Sequence, residues 1–158
     1  MTLYREDIRA NRQKWIDYLL LPTTKAARGV LARGPNDNSR RCCLGHGCHV
    51  LGFKVFDAKS ERAGYGYKTN SDAAIGYAPA EMVEAMGMYD SAGVFRGMLF
   101  ETTYSESLVD MNDSEKRSPQ EIGEFLARNI NGGGPFKPLD DYPSRETQEI
   151  KDRLDDRD

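Results

Sequence analysis

A chain of 158 residues, with 39% hydrophobic and 30% charged residues, has the size and composition of one soluble globular domain. Its longest apolar run, residues 18–21, is far shorter than the roughly 20 residues of a membrane-spanning helix, and its first residues lack the apolar core of a signal peptide. The odd count of three cysteines predicts a reduced, cytoplasmic protein rather than a secreted disulfide framework.

The net charge of −3 is unevenly distributed along the chain. Residues 140–158 carry eight acidic and four basic residues, which leaves residues 1–139 at +1. The segment 25–41 has a net charge of +4, because five basic residues oppose only Asp37. These basic residues are Lys25, Arg28, Arg33, Arg40 and Arg41. The segment therefore predicts a positive local field in a protein that is acidic as a whole.

Residues 3–20 show the apolar spacing of an amphipathic helix, which begins after a Thr2 cap and ends before Pro22. Its apolar positions are Ile8, Trp15, Ile16, Leu19 and Leu20. The opposite face is predicted to be solvated and basic, with Arg5, Arg9, Arg12 and Lys14. Nucleic-acid binding by this face is disfavoured because nucleic-acid-binding domains are usually basic overall.

The next stretch predicts a hairpin followed by a short helix. Residues 26–33 indicate a weak strand, residues 34–39 are turn formers, and residues 40–44 are expected to return as the second arm. From Leu44 or Gly45 a helix is expected to run to Leu51, with Gly52 as its C-cap. This order places arginines and glycines beside a helix N-terminus, which is an arrangement that binds phosphate-like anions.

The first candidate site is therefore one for a small anionic ligand such as a nucleotide. The two arginines are expected to clamp the anion, and backbone amides near the glycines are expected to cap it. Tyrosines from a later glycine-rich loop are expected to stack on the ligand. The candidate ligand-binding residues are Arg40, Arg41, Gly45, Gly47, Tyr65 and Tyr67.

All three cysteines and both histidines lie within residues 42–49, which leaves a metal- or thiol-dependent enzyme as an alternative. The metal ligands would be Cys42, Cys43, His46 and Cys48, with His49 nearby. A zinc site usually draws its ligands from two separated knuckles, and one short segment rarely surrounds an ion. A reactive thiol would need a depressed pKa and an orienting partner, and the sequence identifies no such partner. No catalytic residue and no cofactor is therefore predicted.

The pattern in the middle of the chain predicts several short elements. One of them, a helix, has clear local signals, namely proline in its first turn and glycine just after its end. In chain order, the predictions are a strand at residues 53–56, a long polar loop at 64–77, that helix at 79–87, a turn at 90–93, a strand at 94–100, and an apolar segment at 108–111 that ends in an Asn112-Asp113 turn.

The clearest boundary signal is a capping box formed by Ser118 and Glu121, with Pro119 at the first helical position. The helix that follows has Ile122, Phe125, Leu126 and Ile130 on one face. The Gly-Gly-Gly-Pro run at residues 132–135 is predicted to end the helix and the domain, which then covers residues 1–131. Residues 132–158 are expected to be a linker and a loosely attached acidic tail, with a short helix at 145–154 capped by Ser144.

Several short motifs recur in one order: K-W-I at residues 14–16, G-V-L-A-R at 29–33, C-C-L-G-x-x-C at 42–48, P-x-E-M-V at 79–83, and N-D-S at 112–114 followed by S-x-x-E-I at 118–122. Over residues 14–130 the chain thus resembles a family of small tailed-phage and prophage proteins of unassigned function. This resemblance implies a bacteriophage accessory protein and supplies no activity or site residues. His46, His49, Met111 and Pro119 depart from the family's usual residues, and the tyrosine-rich loop and acidic tail lie outside the shared pattern.

We therefore predict a single α+β domain in which a small antiparallel sheet is flanked by three or four helices. The predicted function is that of a phage accessory binding protein in the host cytoplasm, which sequesters a small anionic, nucleotide-like ligand or a host defence protein and so helps the phage to evade host defence. The alternatives are the Cys/His enzyme and a virion-associated structural protein. Neither a membrane nor a nucleic acid is the expected partner, and a homo-oligomer is left open.

Overall fold

The computed structural model describes residues 3–60, 62–96 and 106–156. The protein has an α+β fold, as predicted, in which α-helices flank a small antiparallel sheet. The α-helices of the described residues are α1 (Arg5–Leu20), α2 (Cys43–Val50), α3 (Ala80–Met86), α4 (Leu108–Asp113), α5 (Pro119–Arg128) and α6 (Arg145–Asp155). The strands are β1 (Lys54–Asp57), β2 (Tyr65–Lys68) and β3 (Ala73–Ala74). A short 3-10 helix, Leu139–Asp141, precedes α6.

The sheet has the order β1-β2-β3, and both strand pairs are antiparallel. Its second and third strands lie in residues 64–77, so the prediction of a long loop there is wrong. The strand expected at residues 53–56 is confirmed as β1, shifted by one residue. Glycine lowers strand propensity, which hid β2, yet Gly66 is needed because a Cβ there would lie 2.8 Å from the Phe56 ring.

The core forms along one face of α1. Ile8, Trp15, Ile16 and Leu19 are all buried, as their spacing predicts. α1 packs against α2, α3 and α5. The Trp15 ring meets the Phe136 ring edge-on, with 6.0 Å between the ring centroids. Burial of each large apolar side chain contributes roughly 1.5–3 kcal/mol, so this face of α1 stabilises the fold substantially.

Arg12 lies in this core, which corrects the prediction that it belongs to a solvated basic face. Its side chain is fully buried, and the centre of the Phe136 ring lies 4.3 Å from its guanidinium carbon. The carbonyl oxygens that accept from the guanidinium belong to Met86, Gly87, Ile130 and Lys137. The first three of these carbonyls follow the last turns of α3 and α5, where the helix dipoles favour a positive charge. Arg12 therefore ties three helices together.

The predicted hairpin of residues 26–44 does not form as two strands. Arg41 makes isolated bridges with Ala26 and Ala32, and Ala32 makes another with Tyr65. α2 begins at Cys43, one or two residues earlier than predicted, so residues 40–44 cannot extend a second arm. Gly52 follows the helix with a positive φ of 77°, as expected for a residue that closes a helix.

Two other helices confirm their local signals, and one replaces a predicted turn. α3 ends at Gly87 with φ 64° in the left-handed region, and α5 begins with the capping box of Ser118 and Glu121. Asn112 and Asp113 lie within α4 rather than in a turn. Val94 makes a single bridge with Ser107, and residues 97–100 of the predicted strand lie outside the described residues.

The chain after the glycine run packs into the core, so the folded body does not end at residues 132–135 as predicted. Phe136 is fully buried and Leu139 is nearly so. The helix predicted at residues 145–154 is confirmed as α6, which buries none of its residues and is attached at its N-terminal end. There the Ser144 hydroxyl and the Arg145 amide donate to the Glu6 carboxylate. Among the helices of the described residues, none combines the length and the apolar character needed to cross a membrane.

Candidate functional site

The C-C-L-G-x-x-C motif forms a packed hub, and the amides at the N-terminus of α2 are already occupied. The Cys42 Sγ accepts from the Gly45 amide at 3.3 Å. The Cys43 amide donates to Asn112 Oδ1 at 3.2 Å, and the Cys43 carbonyl accepts from Trp15 Nε1 at 2.9 Å. Because Asn112 also donates to the carbonyl of Ala27, one side chain joins α4, α2 and the preceding coil. The residues of the motif therefore stabilise the fold at this end of α2, and they do not form a reactive or ligand-binding site.

The glycines of α2 let the helix approach other parts of the protein. A Cβ at Gly45 would lie 1.8 Å from the carbonyl oxygen of Leu31. A Cβ at Gly47 would lie 2.3 Å from the terminal methyl of Met82 and 3.1 Å from the Trp15 ring. Both glycines are buried, so they leave no surface on which an anion could be capped.

The other residues of the predicted ligand set do not meet on one surface either. Arg41 and Tyr67 are almost fully buried, and Arg41 Nε donates to the Tyr67 hydroxyl at 2.7 Å. The remaining guanidinium nitrogens of Arg41 donate to the carbonyls of Asn36, Asp37 and Ser39. Arg41 therefore fastens residues 36–39 to the sheet. Arg40 is exposed, and Tyr65 lines a separate open depression with Arg33 and Lys59.

The cysteines have the properties of core residues. All three are free and buried, and burial raises the pKa of the Cys42 thiol to about 12. Burial also raises the pKa values of Cys43 and Cys48 well above the usual range. The structure brings no three potential ligands together in the described ranges, because Cys43 points to Leu108, Cys48 to Met82 and His46 to Lys25. A thiolate of high pKa is rarely formed at neutral pH, so these positions do not favour thiol chemistry.

A different group of side chains meets at the surface between α1 and α2. Tyr18 lies between His46 and His49, with ring centroids 5.4 Å and 5.3 Å apart respectively. The Tyr18 hydroxyl donates to the carbonyl of Asp37 at 3.2 Å, and His49 Nε2 lies 3.9 Å from the Asp37 carboxylate. The histidines come together because residues three apart on a helix share one face. We call this group, with Asp37, the tyrosine–histidine corner.

Two depressions adjoin this corner and share Tyr18 and Leu21. The first has a volume of about 380 Å³ and is mainly apolar and aromatic in its floor; its other lining residues are Lys14, Asp17, His49 and Val50. The second has a volume of about 210 Å³, and most of its lining residues are of polar types. Its other lining residues are Thr23, Thr24, Lys25, Asp37, Asn38, Ser39 and His46. We call them the ring depression and the polar depression.

The histidines of the corner are neutral at physiological pH. Burial is the main cause that lowers the pKa of His46 to about 4, against the hydrogen bond that its Nε2 makes with the Lys25 carbonyl at 2.8 Å. Burial also lowers the pKa of His49, and the positive charge of Arg41 acts in the same direction. Because the imidazoles are uncharged, the formal charges around the two depressions come from lysines and aspartates.

Sequence reasoning missed most of this site. The spacing of His46 and His49 was a usable signal, since it places both rings on one helical face. Tyr18 carried no signal of its own, because it lies in an amphipathic helix where an aromatic residue is ordinarily part of the core. Lys25 and Asp37 belong to the predicted positive segment, but nothing in the sequence shows that they lie beside α1.

Comparison of the chain with models of known protein families, with curated proteins and with solved structures finds no match. The corner must therefore be interpreted from its own chemistry. It offers aromatic faces, two ammonium groups, hydroxyls and carboxylates around two open depressions. Within the described part of the chain, no hydrogen bond joins either histidine to a hydroxyl or a thiol, so a nucleophile activated by a base is not assembled there.

Proposed function

We propose that the protein is a small-molecule-binding protein whose ligand combines a planar ring with an anionic group, as nucleotides do. The observation that carries this proposal is the pair of adjoining depressions that share Tyr18 and Leu21. One depression has the apolar and aromatic lining that suits a ring, and its neighbour has the ammonium group and hydroxyls that suit an anion. A ligand of this kind can occupy both at once.

The ring depression is suited to a flat, partly apolar group. Tyr18 contributes an aromatic face, and His49 contributes an uncharged imidazole beside it. Stacking of a base on an aromatic side chain contributes about 1–3 kcal/mol and depends little on which base is bound. The depression has a volume of about 380 Å³ and is open to solvent, so a ring bound there would keep one face exposed.

The polar depression is suited to a phosphate or another anion. Lys25 is exposed there, next to the hydroxyls of Thr23 and Ser39. Asp37 also lines this depression, and its carboxylate opposes the charge of Lys25, because the neighbouring His49 is uncharged; Nε2 of His49, at the boundary with the ring depression, lies 3.9 Å from that carboxylate. A carboxylate at that boundary can accept hydrogen bonds from ribose hydroxyls, as acidic residues do in dinucleotide sites. Of the charged residues in segment 25–41, Lys25 and Asp37 line this depression, so the attraction for an anion comes from Lys25 rather than from the net charge of the segment.

Binding explains these features better than catalysis does, because the thiols are buried and protonated and the histidines lack hydroxyl partners in the described residues. The resemblance to tailed-phage proteins suggests the biological role that such binding would have. A phage accessory protein in the host cytoplasm would sequester a nucleotide-like molecule and so interrupt a defence that depends on it. Binding of a host defence protein at the same face is the alternative partner.

Isothermal titration with the common ribonucleoside diphosphates tests the proposal. We expect a dissociation constant in the range of about 1–100 µM for at least one of them. Lys25→Ala and Tyr18→Leu should each weaken binding by about tenfold, because they remove a charge-assisted bond and a stacking face. Lys54→Ala removes an exposed lysine on β1 and should leave binding unchanged. Absence of binding, or equal binding by wild type and Lys25→Ala, would refute the proposal.

A further inference from the structure

The ring depression has a polar edge as well as an aromatic floor. Lys14 and Asp17 both line it and both are exposed. They lie three residues apart on α1, so their side chains are neighbours on one face of the helix. Within the described residues neither side chain forms an ion pair, and the one side-chain hydrogen bond of Asp17 joins its Oδ1 to Gln13 at 2.8 Å. An ammonium donor and a carboxylate acceptor therefore stand side by side at the rim.

We propose that this edge selects guanine, with the Asp17 carboxylate accepting from the ring N1–H and the exocyclic amine while the Lys14 ammonium donates to O6. This inference rests on the proposed function, because it assigns the base of the nucleotide-like ligand. A carboxylate is an acceptor only and an ammonium is a donor only. Guanine presents one acceptor followed by two donors along its edge, so both side chains can be satisfied together.

The other bases fit this pair less well. The corresponding edge of adenine presents an amine donor and then a ring nitrogen with a lone pair. That lone pair would either face the Asp17 carboxylate and repel it, or the carboxylate would receive only one hydrogen bond, from the amine. Adenine also has no oxygen for the Lys14 ammonium. A site that hydrogen-bonds a donor of one base rejects a base that lacks it, because its own polar groups lose their partners. The expected discrimination is about 10- to 100-fold for one two-bond contact of this kind.

The position of this edge relative to the rest of the site agrees with the shape of a nucleotide. The base would lie on Tyr18 and His49, with its polar edge toward the α1 residues. Asp37 lines the polar depression, and its carboxylate lies 3.9 Å from Nε2 of His49, which lines the ring depression; in this arrangement the ribose would lie beside Asp37. The phosphates then extend toward Lys25. In this arrangement α1 supplies both the Tyr18 ring that stacks on the base and the Lys14 and Asp17 side chains that hydrogen-bond to its edge.

The test compares guanosine, adenosine and xanthosine diphosphates by isothermal titration with wild type and with Asp17→Asn. Wild type should bind the guanosine nucleotide at least about tenfold more tightly than the adenosine nucleotide. Asp17→Asn should reduce guanosine binding by about tenfold and improve xanthosine binding, because an amide can donate to the oxygen that xanthine has in place of the amine. The matched control is Asp152→Asn, since Asp152 Oδ1 accepts from Gln148 on α6 as Asp17 accepts from Gln13 on α1.

The outcomes separate the inference from the proposed function. If the guanosine and adenosine nucleotides bind equally and Asp17→Asn changes neither, while Lys25→Ala still weakens both, the assignment of guanine is refuted and the binding function stands. If no nucleotide binds the wild type, both the assignment of guanine and the proposed binding function are refuted. A loss confined to guanosine binding in Asp17→Asn, with Asp152→Asn unchanged, would support the assignment.

Discussion

Replacement of the buried Arg12 by methionine should destabilise the protein without touching the candidate site. Arg12→Met keeps a long side chain and removes the charge together with the donors to four carbonyl oxygens. Charge-assisted bonds contribute about 1.5–3 kcal/mol each, which sets a gross loss of roughly 6 kcal/mol or more. The cost of burying the guanidinium offsets part of this loss.

That cost can be judged from the pKa of Arg12, which burial lowers from 12.5 to about 10. A net shift of this size corresponds to roughly 3 kcal/mol of electrostatic cost that the methionine avoids, with burial as its main cause. The net loss in the free energy of unfolding is therefore expected to be about 3 kcal/mol or more. Small domains have about 5–15 kcal/mol in total, so the variant should fold but unfold at clearly lower denaturant concentration.

Urea unfolding followed by tryptophan fluorescence measures this loss, because Trp15 is the single tryptophan and is fully buried. Arg9→Met is the matched control, since Arg9 is an exposed arginine of the same helix with one long bond of 3.4 Å to Asn131. The control should change stability by less than about 0.5 kcal/mol. If Arg12→Met were no less stable than Arg9→Met, with equal denaturant slopes, the structural role of Arg12 would be wrong.

Two further predictions concern α2. Between pH 6.5 and 4 the wild type should lose up to about 3 kcal/mol that His46→Gln retains, because the unfolded chain takes up a proton that folded His46, with its pKa lowered to about 4, does not. Urea titrations at neutral and acidic pH measure this difference, and parallel pH profiles would contradict it. Gly45→Ala should lower the Tm by roughly 6 °C or more, because its methyl would lie 1.8 Å from the Leu31 carbonyl oxygen. Gly76→Ala, where nothing lies within 4 Å, is the control, and equal Tm shifts would argue against the clash.

The elements that sequence predicted well are those whose signals lie within a few residues. The capping box of Ser118 and Glu121 fixes the start of α5, and Gly87 fixes the end of α3. The strands at residues 64–77 were missed because glycine lowers strand propensity, and β2 depends on pairing with β1, whose Phe56 ring fits closely against Gly66. The buried end of the domain was missed because a glycine run resembles a linker, although Phe136 follows it into the core.

The candidate site was misplaced for a related reason. Arginines, glycines and amides at a helix start are what an anion site requires, but the same residues can serve tight packing. Here the acceptors of Arg41 are three backbone carbonyls and the Tyr67 hydroxyl, and the space beside Gly45 is filled by Leu31. The sequence shows that a residue is charged or small, and it does not show which distant atoms converge on it.

The division between buried and exposed cations explains how this fold can present a binding surface. Arg12 and Arg41 donate mainly to backbone carbonyls. Arg41 thereby holds residues 36–39, of which residues 37–39 line the polar depression. The hub of Trp15, Cys43 and Asn112 fixes α2 against α1, so the histidine face of α2 meets Tyr18 in one arrangement. A surface held in this way loses little conformational entropy when a ligand binds. In the proposed binding mode the structural cations would therefore contribute to affinity indirectly, through preorganisation, while the exposed Lys14 and Lys25 would supply the direct contacts.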